Sequence, residues 1–309
     1  MSPRSIGLIV KQFRFELVVI VATLLLIAAL ELLVLVSLPR LSIEAEACGY
    51  DPRCGPLVLF VSVLNGLGGA APPVASFVGA FGGLLLGVSV VGREVDRGTA
   101  TLAWPLARSR RRWLAPRVII IGTILILAAA APALLADLLV SMYRPQTPAN
   151  STFYMFEMRG FLPIGRDLAA FAIGVLAGAA FGRVLPGLLL ALVLAPIGYM
   201  TLSLATTVWR SSEAIVVDGG DYETNLIFDS RLRDASGQML TWNDAYTRDQ
   251  GPDGSVPDGW PDATYTQVTI GLPGDRRPDI DRREAAMYGG IAILLIGVSA
   301  AIVDRRRPY

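Results

Sequence analysis

The chain has 309 residues, 53 % of them hydrophobic and 17 % charged, with a mean hydropathy of +0.53. That excludes an ordinary soluble globular domain and leaves a bundle of membrane-crossing helices as the class that fits. The formal net charge of +1 gives nucleic-acid binding no support. There is no histidine, a single lysine (Lys11) and two cysteines. A histidine relay, a Ser-His-Asp site and a Cys-rich zinc site are therefore excluded. Nothing like G-x-x-x-x-G-K-[ST] surrounds Lys11, so the chain cannot be its own P-loop ATPase.

In chain order, residues 1–16 carry Arg4, Lys11 and Arg14. Residues 17–38 follow as a predicted first span, interrupted only by Glu31. This run is too long for the apolar core of a signal peptide and more spans follow, so it reads as an uncleaved anchor with its N-terminus inside. The next loop holds Cys48 and Cys54 in CGYDPRC. It falls outside by topology, where a disulfide can persist; a bridge and two free thiols near the headgroups are the two readings. From Gly55 to Gly92 there are 38 uncharged residues, too many for one crossing of about 30 Å. Gly66–Gly69 and Pro72–Pro73 divide this run into a short interfacial or re-entrant piece, 56–67, and a second span, 72–92. Gly79, Gly83 and Gly87 recur at every fourth position and predict a face that permits close helix approach.

The loop 93–117 then concentrates seven arginines. Any polytopic protein places arginines on its cytoplasmic side, which accounts for the charge but not for the ordered sequence E-x-D-x-G-T-x-x-L-x-W-P. A third span is predicted over 118–140, with Pro132 inside it and Asp137 near its outer end. After a polar stretch, spans four and five are predicted over 167–183 and 186–207, turning at Arg183 and Pro186–Gly187. Gly174, Gly178 and Gly182 repeat the small-residue stripe. Residues 208–285 form a polar region in which YTQVTI (265–270) alternates like a strand. A sixth span and a basic tail complete 286–309. Inside segments collect three, seven, one and three basic residues, consistent with both ends inside. The expected fold is an all-α polytopic membrane protein of six transmembrane helices. Both termini are cytoplasmic, and a small polar extracellular region separates spans five and six. The membrane domain takes residues 1–207, the polar region 208–285 and the last span with its tail 286–309.

Glu31 and Asp137 are the acidic residues predicted within spans. Charge in a bilayer is costly and marks a pathway, relay or partner, so both are candidates for a gate or pathway. Their expected position toward the outer ends of their spans leaves a hydrated, interfacial role open. No nucleophile–base pair is visible, and no enzymatic site is expected on this chain.

Glu94, Gly98-Thr99, Leu102, Pro105 and Ser109-Arg110 resemble the loop between the second and third spans of ABC (ATP-binding cassette) exporter permeases of the type-2 class. The variant with Leu102-Ala103-Trp104, followed by Arg111-Arg112-Trp113-Leu114, is similar to a subgroup common in actinobacteria. Where the family motif commonly closes on lysine, this chain has Arg117. The resemblance implies that 93–112 is a coupling helix, with Glu94, Asp96, Gly98, Thr99, Leu102, Trp104, Pro105, Arg108 and Arg110 facing a separate ATPase subunit. It implies a homodimer or heterodimer of such permeases in the lipids of a cell membrane, bacterial in kind by the same resemblance. ATP and Mg would be bound by the partner and no cofactor by this chain. The implied cargo is an amphipathic small molecule or lipid moved by alternating access. The alternatives from the residues alone are an ion-coupled secondary transporter using Glu31 and Asp137, or a membrane sensor with 208–285 as its receptor head.

Overall fold

The computed structural model describes residues 3–48, 52–98, 109–217, 224–251, 254–257, 259–262 and 264–305. Six of its helices are long and apolar enough to cross a membrane. A short helix, α1 (Pro3–Gln12), precedes α2 (Arg14–Cys48), α3 (Gly55–Asp96), α4 (Arg110–Tyr143), α5 (Leu162–Phe181) and α6 (Val184–Ser212). A polar stretch with β1 (Ile215–Val217), β2 (Leu226–Arg233), β3 (Met239–Leu240), α7 (Trp242–Asp249) and β4 (Thr266–Leu272) follows, and α8 (Arg277–Arg305) is the sixth long helix. The chain divides into two compact units: Met1–Pro145 with Met155–Met200 and Ile280–Tyr309, and Gln146–Tyr154 with Thr201–Asp279.

In the helical unit, the expected break within the second apolar run is absent. Helix α3 runs unbroken for 42 residues through Pro72 and Pro73, so the separate piece at 56–67 is its first three turns. Each proline removes one intrahelical hydrogen bond. A chain reversal in an apolar setting would leave many more backbone groups unpaired, so continuing the helix is the lesser cost. About two turns before these prolines, the Tyr143 hydroxyl donates to the Asn65 carbonyl at 3.2 Å. Cys48 and Cys54 are joined as a disulfide between the ends of α2 and α3, with Cα atoms 6.1 Å apart.

The glycine stripes meet each other. A Cβ on Gly87 would lie 2.2 Å from the Phe171 carbonyl oxygen, and one on Gly174 would lie 2.4 Å from that of Leu84. One on Gly178 would lie 2.6 Å from the Val88 carbonyl oxygen. Helices α3 and α5 are thus in backbone-to-backbone contact along a seam that only glycine allows. Dispersion across such a seam replaces the hydrophobic drive that lipid cannot supply. Around it Leu86, Val90 and Val91 pack with Leu17, Ile20 and Leu24 of α2, Ile121 and Leu125 of α4, and Phe171 and Val175 of α5. Gly182 ends α5 in the left-handed region (φ 64°), and α6 starts two residues on at Val184. Pro186 therefore lies in the first turn of α6 rather than in the connection.

The polar stretch adds strands to a chain expected to be all-α. Its four strands form an antiparallel sheet in the order β1-β4-β2-β3. The alternating stretch 265–270 supplies most of β4, which pairs on both sides. Leu232, Ala245 and Tyr265 form a small core with Leu240 and Trp260 beside it. Thr241 caps α7 by accepting from the Asp244 amide at 3.1 Å. Trp260 stands edge-on to Trp242 and Tyr246, with ring centroids 6.0 and 5.8 Å away.

Candidate functional site

Two places in the helical unit carry chemistry: the turn where α3 ends, and the buried carboxyls of the bundle. Helix α3 closes at Asp96, and Gly98 follows at φ +70° with open space around its missing side chain. An L-residue at that φ is strained, so the glycine serves the backbone and not a close approach. Helix α4 opens at Ser109, whose hydroxyl accepts from the Arg112 amide at 3.2 Å. Thr99, Leu102, Trp104, Pro105 and Arg108 lie outside the described residues. Asp96 and Gly98 are exposed at the end of α3.

Two residues expected to face a partner are engaged within the chain. Glu94 is only 6 % exposed. It accepts from the Gln12 side-chain amide and lies 3.5 Å from the Arg117 guanidinium. Arg93 pairs with Glu16 at 3.0 Å and donates to the Gln12 carbonyl at 2.9 Å. Arg117 in turn lies over the Trp113 ring, 4.2 Å from its centroid. These contacts fasten α1, α2, α3 and α4 together under the loop. Arg110 donates to the carbonyls of Val303 (3.2 Å) and Asp304 (3.0 Å), satisfying the end of α8. Sequence reading missed this because the partners of Glu94 and Arg110 lie 82 and 193 residues away.

Asp137 and Glu31 differ. Asp137 contacts Arg159 at 2.7 Å, and that guanidinium is fully buried; its carboxylate is a counter-ion. Glu31 sits at the midpoint of the 35-residue α2, is wholly enclosed, and neither carboxyl oxygen has a hydrogen-bond partner among the described residues. It shares its helix face with Ile27, packed on Ala71 and Ala75 of α3, and Val34, packed near Leu64 and Leu139. A third carboxyl, Asp167, was not legible in the sequence, because it stands next to the charged Arg166 at a predicted span boundary. It is 2 % exposed, and its Oδ1 has no partner among the described residues. Arg166 itself turns to Glu157 at 3.2 Å and lies over the rings of Tyr199 and Tyr288. Asp281 accepts from the Phe161 and Leu162 amides, both at 3.0 Å, capping α5.

Among the described residues, six helices are long and apolar enough to cross a membrane, and two of them, α3 and α5, pack through glycine, as befits a multi-pass membrane protein. The family model described as ABC-2 membrane transporter related matches residues 16–210, and the chain belongs to that family. The matched stretch takes in α2 to α6 almost whole and stops short of the sheet. No curated protein and no solved structure gives a significant match.

Proposed function

We propose that the chain is the permease subunit of an ATP-driven exporter. Hydrolysis takes place on a separate ATPase subunit, and the permease works as a dimer with itself or a similar chain. The cargo class is an amphipathic small molecule or lipid, moved by alternating access. The observation that carries this reading is the mounting of the loop after α3. Gly98 turns the chain, Ser109 caps the next helix, and the Glu16–Arg93–Gln12–Glu94–Arg117 contacts tie four helices together beneath. A push delivered between the end of α3 and the start of α4 would thereby reach the bundle. In this role Glu94 and Arg110 position the loop, while Asp96, Thr99, Leu102, Trp104, Pro105 and Arg108 meet the ATPase.

The test compares Gly98→Leu, Trp104→Ala and Glu94→Ala, none of which removes a positive charge. Gly98→Leu carries about 1–2 kcal/mol of left-handed backbone strain. The expected result is normal membrane insertion with reduced ATPase co-purification and reduced cargo-stimulated hydrolysis. Wild-type behaviour in all three would leave only a basic retention loop. A second reading, an ion-coupled transporter, has in its favour Glu31, whose carboxyl oxygens lack a hydrogen-bond partner among the described residues. It requires transport that persists without ATP and stops in Glu31→Gln.

A further inference from the structure

One side of α1 is packed and the other is bare. Ile9, and Phe13 just past its end, are buried in the same apolar cluster as Leu17 of α2 and Trp113 and Leu114 of α4. On the outer side Leu8 is 69 % exposed, and Phe15 at the start of α2 is 75 % exposed. The helical ladder carries across the junction, from the Phe13 amide to the Ile9 carbonyl and from the Leu17 amide to the Phe13 carbonyl. The two helices therefore stay in phase, and Leu8, Phe15, Val19, Ala22 and Leu26 fall on one outward strip at steps of seven, four, three and four. From Phe15 onward that strip belongs to a spanning helix; Leu8 prolongs it beyond the apolar run. Lys11 and Arg14 stand beside it, both exposed, and neither side chain has an ion-pair or hydrogen-bond partner among the described residues. Three acids at this end are engaged elsewhere: Glu16 by Arg93, Glu94 by Gln12 and Arg117, and Asp304 by Arg111.

We propose that α1 lies on the bilayer surface and binds anionic phospholipid there, with Leu8 and Phe15 in the headgroup boundary, Lys11 and Arg14 on the lipid phosphates, and Gln12 passing the effect to the end of α3. An apolar strip edged by bare cations fits a negatively charged lipid surface. Long basic side chains reach the headgroups while their stems stay in the boundary. A protein seated on the same face would have to bury both cations or bring acids to meet them. The link to α3 is already built: the Gln12 side-chain amide donates to Glu94, and its backbone carbonyl accepts from Arg93. Whatever steadies α1 therefore steadies the last turn of α3. This goes beyond the permease reading and gives that turn a second input, the charge of the membrane.

The experiment follows amide hydrogen exchange of the full-length chain in nanodiscs of phosphatidylcholine alone and of phosphatidylcholine mixed with phosphatidylglycerol. Exchange in 3–12 and in 93–97 is expected to slow in the charged discs, by about fivefold for each cation engaged. Lys11→Gln with Arg14→Gln should abolish the difference between the two lipids. Gln12→Ala should keep it in α1 and shrink it at 93–97. Equal exchange of the wild-type chain in both lipids overturns the proposal without relying on any variant to fold. An undiminished lipid effect in the Lys11/Arg14 variant overturns the assignment of the cations, and an undiminished one at 93–97 in Gln12→Ala overturns the link. An environment-sensitive fluorophore on Leu8→Cys, with Cys48 and Cys54 replaced by serine, should emit as in lipid. Water-like emission in these ATPase-free discs would overturn the lipid contact and leave the face to a protein. No step needs an ATPase, so failure here leaves the exporter reading standing, and failure to find an ATPase partner leaves the exchange result decisive.

Discussion

Glu31 and Glu94 are both buried glutamates, and their surroundings give them opposite energetics. Glu94 has an amide and a guanidinium within reach, whereas both oxygens of Glu31 lack a hydrogen-bond partner among the described residues. Burying a polar group without a partner costs about 1–3 kcal/mol by protein substitution data. Glu31→Leu should therefore stabilise the bundle by about that amount, read as a higher melting temperature in nanodiscs; a lower one would mean that Glu31 has a partner in the membrane. Asp234, in the sheet-bearing unit, shows the reverse case. The Ser236 hydroxyl, ahead of Arg248 and the Gln238 and Ser236 amides, holds its carboxyl down at about 2. A carboxyl depressed on folding stabilises the fold above its ordinary value of about 3.9 and loses that contribution as pH falls through the folded value. Melting of the full-length chain should decline between pH 4 and pH 2 with a component that is missing in Asp234→Asn. An identical decline in both would remove Asp234 from the account. At this scale the sequence was readable where a residue acts on its own backbone, as Gly98 does. It was silent where partners come from afar, as for Glu94, or where burial is decided by another helix, as Gly79 decides it for Asp167, whose carboxyl lies where a Cβ on Gly79 would be.

The glycine period is the part of the element scale that sequence exposed well, since spacing alone puts Gly79, Gly83 and Gly87 on one face. That the same face meets Gly174 and Gly178 of α5 was not legible, because small residues permit close approach without naming the neighbour. The α3 prolines misled for a related reason. Proline marks helix ends in water, but in an apolar bundle the alternative to a helix is worse. The seam can be tested against its own controls. Gly87→Ala and Gly174→Ala place a Cβ within 2.4 Å of a main-chain oxygen, which cannot swing aside, and overpacking of this kind costs about 1–3 kcal/mol. Gly66→Ala and Gly69→Ala lie in α3, as Gly87 does, with nothing within 4 Å. There the gain of about 0.8–1.0 kcal/mol in helix propensity is unopposed. Melting should drop for the first pair and hold or rise for the second. Equal effects in both pairs would mean that the seam is open.

At the scale of the whole molecule, six crossings fix the sides by parity. If each long helix passes through once, the disulfide loop 48–54, the α4–α5 link and the sheet-bearing stretch share one side. The end of α3, the start of α4, the α5–α6 turn, α1 and the end of α8 share the other. Parity does not say which side is which; we propose that the arginines do. Seven of them fall in 93–117 and three more close the chain, and short loops rich in arginine stay in the cytoplasm. The eight arginines between 209 and 284 do not count against this, because long translocated segments escape the rule. In a background with Cys48 and Cys54 replaced by serine, Ser236→Cys should react with a membrane-impermeant maleimide in intact cells. Ser109→Cys should react only after the membrane is opened. In the unreplaced chain, non-reducing mass spectrometry should find Cys48 and Cys54 in one linked peptide. Reversed labelling would put loop 99–108 on the face that no ATP-hydrolysing subunit can reach, and the coupling role would go with it. Labelling as expected but with both thiols alkylated would keep the topology and discard only the bridge.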